Sequence, residues 1–328
     1  MKKQTYRAAL PLIVVALAAA PVSRGADPPA DKSFLGCRWS GVARMHYRIH
    51  TVEQTDVIAT SGNSNQTKDV TIELTLEPSG QEQTLTWLTL RLERAQVKLA
   101  PPGIEVDTAA AANPNAGVLA ALPAVYAAIH DKPLRLLVTP GGRVRKVEGV
   151  QELLTAARAK LGAGPEQEPL LALVVPTSDA AAAAQFANVV FYLPGISESV
   201  GFNKQEQWPA PTGAGQVSRK LEFTGVQPEG ERRSIVVRQE ISGDNLPPVP
   251  DPSQQAEVTT AEYRASATLA LDATLGVPAR LDAQLLTRQT VRRSGDTPDN
   301  PSMSIKVSAS TETRLANVEA KAAAAAGQ

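Results

Sequence analysis

Apolar and polar residues alternate with a period of two over much of the chain, which is the pattern of strands that bury one face. In the N-terminal third, the alternation covers residues 43–50, 70–77 and 84–99. The last of these runs contains two apolar stripes of opposite parity, Leu88, Leu90 and Leu92 and then Ala95, Val97 and Leu99. Because a change of parity moves side chains to the other face, the run predicts a β-bulge or a sharp bend near Glu93.

The C-terminal third repeats the alternation and predicts further strands, each with one apolar face. The apolar stripes lie within residues 217–223, 235–241, 265–271, 277–285 and 303–315. Polar or Pro-rich stretches predict turns and loops at 61–67, 243–256 and 294–301.

The middle of the chain has helical spacing instead. A first apolar stripe covers 118–129, and Pro123 is predicted to start or kink that helix. A hairpin is predicted over 134–148, further helices over 150–161 and 179–193, and 170–175 fits either a strand or a helix. The apolar side of the second helix consists of Val150, Leu153, Leu154, Ala157 and Leu161.

Together these elements predict an α+β fold with one domain, residues 34–316. Alternation means that each strand has a solvent-exposed face and a buried face. The helical insert, about 115–195, is the part of the chain available to cover the buried faces. The economical arrangement is a large curved antiparallel sheet, half-barrel-like, with about three central helices packed on its concave face. The two terminal thirds are not predicted as separate domains, because each would leave an apolar face bare.

The two ends of the chain predict segments outside this domain. Residues 1–25 have the basic start, the apolar run and the small residues of a secretory signal peptide, with cleavage near Gly25; an uncleaved anchor is the alternative. Residues 26–33 form a polar leader that we expect to be disordered, and the Ala-rich residues 317–328 form a low-complexity tail. No later run is long and apolar enough for a membrane-spanning helix. The chain is therefore expected to be exported to the periplasm or the extracellular space.

Composition narrows the possible functions. The chain has one cysteine, Cys37, so an internal disulfide and a Cys-based zinc site are excluded. Phe34-Leu35-Gly36-Cys37 is loosely similar to a lipoprotein signal, but charged residues separate it from the apolar run, and a partly buried free thiol is predicted. Basic and acidic residues number 33 each, so the chain has no electrostatic signature of nucleic-acid binding and no nucleic-acid partner is predicted.

Candidate catalytic and metal-binding residues are few. His46 and His50 lie in a predicted strand, where four residues span about 13 Å, so we expect two solvated side chains and no shared metal ion. Gly195-Ile196-Ser197-Glu198-Ser199 begins like a nucleophile elbow but lacks the second glycine, and His130 is the histidine that could serve it. We therefore predict no catalytic residue, no metal ligand and no cofactor, and the pattern does not identify ligand-binding residues.

Three further motifs favour ordinary surface roles. Gly213-Ala214-Gly215 predicts a flexible turn, because no βαβ pattern surrounds it. Arg232-Arg233 and Arg292-Arg293 lie at predicted strand ends, where we expect solvated side chains, with contact to anionic head groups or cell-wall polymers as the alternative. Asn65-Gln66-Thr67 matches a glycosylation sequon.

A series of turn motifs extends over most of the mature chain. The central ones are Asp131-Lys132-Pro133-Leu134, Val138-Thr139-Pro140-Gly141-Gly142-Arg143-Val144 and Val147-Glu148-Gly149-Val150, and the later ones are Leu193-Pro194, Val200-Gly201, Trp208 and Gly276-Val277-Pro278. Their order resembles a family of exported bacterial proteins common in planctomycetes, whose domain has no known function; the spacing from Gly201 to Trp208 is longer than the family's. The resemblance implies no activity and no catalytic residue. At fold level it implies similarity to the half-barrels of periplasmic lipoprotein carriers.

Three functional hypotheses remain open at this point. The favoured one is a non-catalytic interaction or scaffold protein that binds an envelope component, and an open sheet edge or an exposed apolar patch would support it. The second is a carrier of a hydrophobic ligand, such as a lipid or an acyl chain, between sheet and helices. The third is a hydrolase with a non-standard site, which would need a desolvated histidine or carboxylate beside a partner.

Overall fold

A computed structural model of the chain shows a twelve-stranded antiparallel sheet with helices. It describes residues 39, 42, 44–59, 62–101, 103–111, 114–139, 144–161, 171–172, 175–190, 203–209, 215–229, 232–251, 256–273, 275–293 and 304–317. The strands are β1 (Met45–Ala59), β2 (Gly62–Glu82), β3 (Leu85–Ala100), β4 (Ile104–Asp107), β5 (Leu134–Val138), β6 (Val144–Glu148), β7 (Asn203–Pro209), β8 (Gln216–Glu229), β9 (Arg232–Asp251), β10 (Ala256–Asp272), β11 (Pro278–Arg293) and β12 (Ser304–Asn317). The helices are a 3-10 helix (Pro114–Ala121), α1 (Leu122–Ile129), α2 (Val150–Leu161) and α3 (Asp179–Val190).

The chain enters and leaves the sheet at its centre. From β1 it proceeds through β2, β3 and β5 to the edge strand β6, and from the opposite edge strand, β7, it returns in sequence order to β12. β4 pairs with β3 outside this path. β1 and β12 pair from Tyr47 opposite Asn317 to Ala59 opposite Ile305. The first and last strands therefore join the two halves of the sheet.

The sheet is curved around α3. This helix contacts the edge strand β6 and also β11, which lies six positions further along the sheet. Six strand spacings measure about 29 Å across a flat sheet, whereas a helix of 12 residues is only about 18 Å long. A curved sheet brings both strands to the same helix. The predicted fold class, a large curved antiparallel sheet with helices on its concave face, is confirmed.

The change of parity in β3 is a β-bulge, as predicted. Glu73 pairs with Arg94 and Leu74 pairs with Leu92, so Glu93 has no residue opposite it on β2. The extra residue puts Leu92 and Ala95 on the same face, where both are buried. A single core can therefore contain both apolar stripes of β3.

The helices and the concave face form the main core of the protein. α1 packs against α2, β3 and β4, and Pro123 lies in its first turn, as predicted. All five apolar positions predicted for the packed side of α2 are buried. The main core takes side chains from both halves of the sheet, such as Leu90 on β3 and Leu269 on β10. None of the described helices is both long and apolar enough to cross a membrane.

Two predicted loops are wrong, because strands continue into them. Residues 62–67 belong to β2 and pair with β1 although their side chains are polar, and most of 243–256 belongs to β9 and β10. Backbone hydrogen bonds do not depend on side-chain polarity, so a strand can continue beyond the residues in which apolar and polar side chains alternate. The prolines of β9 lie beyond Ser242, where β9 has lost its pairing with β8 and a missing N–H is tolerated.

Several predictions fall outside the described residues. They include the signal peptide 1–25, the leader 26–33, Cys37, the 195–199 motif, the loop 294–301 and residues 318–328 of the tail. These stay predictions.

An ion pair between Arg94 and Asp107 links the short strand β4 to β3. Asp107 accepts from Arg94 Nε at 2.8 Å and also from Arg94 Nη2, and it accepts from Gln96 Nε2 at 3.0 Å and from the Ala109 N–H at 2.9 Å. These donors, Arg94 first, hold the pKa of Asp107 well below its usual range. The ionised carboxylate is therefore favoured in the folded state.

Replacing Asp107 by asparagine should lower the free energy of unfolding by about 1 kcal/mol at pH 7, because the pair is partly exposed. A lowered folded-state pKa contributes stability above the unfolded pKa, near 4, and this contribution is lost as the pH falls below it. The difference between wild type and Asp107→Asn in urea unfolding should therefore shrink between pH 5 and pH 3. An equal difference at both pH values would contradict the assignment.

Candidate functional site on the concave face

The strand register sorts the side chains of the sheet into a concave face, which carries the main core, and a convex face. On β1, Tyr47 and Ile49 belong to the concave face, and β1 pairs with both neighbours without a register shift. Glu53 and Thr55 therefore lie on the same face as Tyr47. Polar side chains thus continue an apolar stripe on the covered side of the sheet.

One cross-strand row on this face has charged side chains on both sides of an apolar centre. In sheet order it consists of Lys68, Glu53, Thr311, Leu285, Ala265, Ile241 and Arg219. We call it the Lys68–Arg219 row. Its centre is apolar, and the register continues beyond both charged residues, from Lys68 to the buried Leu99 of β3 and from Arg219 to Glu206 of β7.

At one end of the row, Lys68 and Glu53 form an ion pair. Lys68 Nζ lies 3.3 Å from Glu53 Oε1 and 3.4 Å from Oε2, and the Thr55 hydroxyl donates to Oε1 at 3.2 Å. The side chains of Lys68 and Glu53 are only 13% and 14% exposed. On the convex face of the same two strands, Arg48 pairs with Glu73 at 2.7 Å with both side chains more exposed. The concave pair is therefore the more desolvated of the two.

The middle of the row belongs to a second apolar cluster, separate from the main core. Its buried members are Val217, Ile241, Leu246, Tyr263 and Leu285, and Ala265 packs against them. A Cβ atom at Gly243 would lie 2.7 Å from Val217 Cγ1, so this glycine leaves room for the Val217 side chain. Because Leu269, Ala267, Ala265 and Tyr263 have the same parity on β10, the second cluster continues the apolar stripe of the main core along the strands.

At the other end of the row, Arg219 is buried, with 2% of its surface exposed. Its Nη2 donates to Gln239 Oε1 at 3.2 Å, and the register places Glu206 of β7 opposite it. A guanidinium ion is costly to bury unless it is paired and hydrogen-bonded. This end of the row is thus held by polar contacts.

The histidines do not converge on a common site. His50 Nε2 lies 2.9 Å from Asp69 Oδ1 on the convex face, whereas His130 Nδ1 lies 3.7 Å from Glu93 Oε2 at the bulge. His46 and His50 lie on strand β1 and share its convex face, as predicted. Within the described residues, no three His, Cys, Asp or Glu side chains are grouped so that they could hold a metal ion.

The bulge holds the clearest hydroxyl–carboxylate contact near a histidine. The Thr75 hydroxyl donates to Glu93 Oε1 at 2.8 Å, and Arg44 Nη2 lies 3.6 Å from the same oxygen. Thr75 is only 2% exposed, so its oxygen is not accessible to a substrate. These contacts fix the bulge residue and do not form a hydrolase site.

The remaining surface motifs are also dispersed. Arg232 and Arg233 open β9, whereas Arg292 and Arg293 close β11. Since β9 and β11 both pair antiparallel with β10, the two arginine pairs lie at opposite ends of the sheet. Asn65 is exposed and its Nδ2 donates to Asp56 Oδ1 at 2.5 Å. Of the Gly213-Ala214-Gly215 motif, only Gly215 is among the described residues.

Sequence reasoning missed two polar features. Glu53 continues the parity of Tyr47, and this pattern indicates a charge on the concave face. Its partner Lys68 directly follows residues 61–67, whose polar composition predicts a loop. On the convex face, the Trp87 ring has Arg135 Cζ at 4.4 Å and Lys146 Nζ at 5.8 Å from its centroid, and Trp87 Nε1 donates to Glu82 at 3.1 Å. Cations over an aromatic ring stabilise it, and no sequence pattern indicated this cluster.

Comparisons with known proteins yield distant structural similarities. No protein-family model matches the chain, and no curated protein matches it in sequence. A solved structure that concerns lipid–protein interactions in lipovitellin aligns with 84% of this chain and 25% of its own, at 11% identity and a TM-score of 0.43. The chain thus spans about a quarter of the lipovitellin chain.

Two other solved structures align over more of their own length. DynF from the dynemicin biosynthesis pathway of Micromonospora chersina aligns with 92% of this chain and 96% of its own, at 7% identity and a TM-score of 0.20. An outer membrane channel from Pseudomonas putida F1 aligns with 89% of this chain and 100% of its own, at 10% identity and a TM-score of 0.19. Similarity at this level carries no argument about function, and the predicted membership of the planctomycete family stays a prediction.

Proposed function

We propose that this protein is exported to the bacterial envelope and binds a hydrophobic or amphiphilic ligand, such as a lipid, on the concave face of its sheet. The observation that supports the proposal is the second apolar cluster. It extends the apolar stripe of the main core along the same face, and the row that crosses it has the Lys68–Glu53 pair on one side of the cluster and Arg219 on the other. An apolar floor with a few placed polar groups is the usual composition of a ligand site.

A second candidate, an interaction protein of the envelope, is favoured by the edges of the sheet. In the described part of the chain, β6 and β7 each pair with one strand only. An edge strand can accept a strand from a partner. Among the described residues, the exposed large apolar side chains are those of Ile58 and Val226, which lie on β1 and β8, strands that are not neighbours in the sheet. They do not form one apolar patch.

Native mass spectrometry separates the two candidates. We expect the protein, exported in a bacterial host and purified without detergent, to carry an adduct of lipid mass that is lost on unfolding. Ala265→Trp should remove the adduct, because Ala265 lies in the apolar centre of the row and is only partly buried. Ser266→Trp is the matched control, since Ser266 is the next residue and lies exposed on the other face. A clean apo mass for the wild type would contradict ligand binding and favour the interaction protein.

A further inference from the structure

The two edge strands of the sheet differ in how well they are protected from pairing with another chain. β6 has five residues, its pairing with β5 shifts register between Leu137 and Val138, and α3 contacts it. Short length, a bulge and a covering helix are features by which edge strands avoid further pairing. β7 has seven residues and pairs with β8 from Asn203 to Pro209 without a register shift. β7 is therefore the edge better suited to accept a further strand.

The backbone of β7 has hydrogen-bonding groups that β8 does not use. In an antiparallel ladder, only every second residue exchanges hydrogen bonds with a given neighbouring strand. Within the described residues, β7 pairs with β8 alone. The one proline of β7 is Pro209, its last residue, so each of residues 203–208 keeps its N–H. The outward N–H and C=O groups can therefore pair with water or with another strand.

The charges of β7 are complementary to those of a second copy of β7. Two copies that pair antiparallel are related by a two-fold axis, and this axis must pass through a residue, because residues directly opposite each other share a face of the sheet. An axis at Gln205 places Lys204 of each copy opposite Glu206 of the other. An axis at Lys204 or at Glu206 places identical charges opposite each other, and an axis at Gln207 pairs no unlike charges. Unlike charges in opposite positions stabilise a ladder and like charges destabilise it.

We propose that β7 of two copies of this chain pair antiparallel about a two-fold axis at Gln205 and form a homodimer. Residues 203–207 of each copy take part, and the sheet continues from one copy into the other. Because β8 places Arg219 opposite Glu206, Glu206 then has a cation opposite it on both sides, Arg219 of its own chain and Lys204 of the other copy. The proposal concerns the edge of the sheet and is independent of the ligand proposed for the concave face.

A dimer held by one short strand should be weak. Interfaces that bury less than about 1,200 Å² are typical of transient contacts. Sedimentation velocity of the mature protein, at about 1 μM to 1 mM, covers the dissociation constants of such contacts. We expect the wild type to change from monomer to dimer within this range.

Substitutions at Gln205 test the position of the axis, because this residue lies opposite itself in the proposed dimer. Gln205→Lys and Gln205→Glu each place like charges opposite each other, so each variant alone should dimerise at least about tenfold more weakly than the wild type. An equimolar mixture of the two variants should recover dimerisation, since a lysine then lies opposite a glutamate. Gln205 is exposed and its amide donates only a long hydrogen bond to Ser218, at 3.5 Å. Both variants should therefore keep the thermal midpoint of the wild type.

The matched control is Gln207→Lys. Gln207 is also exposed and lies two residues along the same strand, so it shares the face of Gln205. In the proposed register it lies opposite Asn203 and not opposite itself. Its dissociation constant should therefore stay within about threefold of the wild-type value.

Three results would overturn the proposal. The first is a wild type that stays monomeric at about 1 mM, where even weak interfaces are occupied. The second is an equal effect of Gln205→Lys and Gln207→Lys, and the third is a mixture of the two Gln205 variants that stays monomeric. A dimer with a clean apo mass would instead contradict the proposed ligand and support the pairing of β7.

Discussion

Deleting Glu93 should prevent the sheet from folding. The deletion removes the bulge, so the residues on one side of it must turn to the opposite face. Either Leu88, Leu90 and Leu92 or the stripe from Ala95 to Leu99 then leaves the main core. Exposing three buried leucines costs about 5–9 kcal/mol at 1.5–3 kcal/mol for each side chain. That is comparable to the whole stability of an ordinary domain, about 5–15 kcal/mol.

The control for this deletion is Glu93→Ala, which keeps the residue count and removes only the side chain. It leaves the Thr75 hydroxyl without the carboxylate that accepts from it, so we expect a loss of about 1–2 kcal/mol. Circular dichroism and urea unfolding measure both variants. A deletion variant that unfolds at the wild-type urea concentration would mean that β3 carries no bulge in solution.

This bulge shows how far alternation can predict a sheet. Parity identified the face of each side chain in β3 and the residue at which the face changes, because both are local properties of one strand. Parity does not identify which strands lie next to each other in the sheet. That β1 pairs with β12, and that the chain therefore enters and leaves at the centre of the sheet, depends on contacts between the two ends of the chain, which no local pattern contains.

The candidate site was only half predictable for the same reason. The parity of Tyr47 and Ile49 extends to Glu53, so a charge on the concave face could be read from the sequence. Its partner could not, because β2 begins at Gly62 in a polar stretch that has the composition of a loop. The backbone pairing of that stretch with β1 determines that Lys68 lies opposite Glu53.

Replacing Gly149 by alanine should have the second-largest effect. Gly149 lies between β6 and α2 with a φ of +95°, and a Cβ atom there would lie 2.6 Å from the carbonyl oxygen of Pro133. Both groups belong to the backbone, so neither can move aside cheaply. The left-handed conformation costs about 1–3 kcal/mol for a side chain, and overpacking adds about 1–3 kcal/mol. We expect a loss of about 2–6 kcal/mol in urea unfolding.

The close approach of Gly149 to Pro133 also gives a physical reason for two of the motifs on which the family resemblance rests. Pro133 belongs to the motif that precedes β5, and Gly149 belongs to the motif that follows β6. The Gly149 carbonyl accepts from the Leu153 N–H at 3.1 Å and so begins α2. The two motifs meet where the hairpin β5–β6 passes into this helix, and a side chain at Gly149 would separate them.

Alanine substitutions at two other glycines distinguish the cost of a steric contact from the cost of backbone strain. Gly225 has a φ of +104° with no heavy atom within 4 Å of its missing Cβ, so Gly225→Ala should show strain alone, about 1–3 kcal/mol. Gly80 has neither a positive φ nor a close neighbour, so Gly80→Ala should change stability by less than about 1 kcal/mol. The difference between Gly149→Ala and Gly225→Ala then measures the contact with Pro133. If the two variants lose the same stability, the Pro133 carbonyl does not approach Gly149, and the resemblance motifs need another explanation.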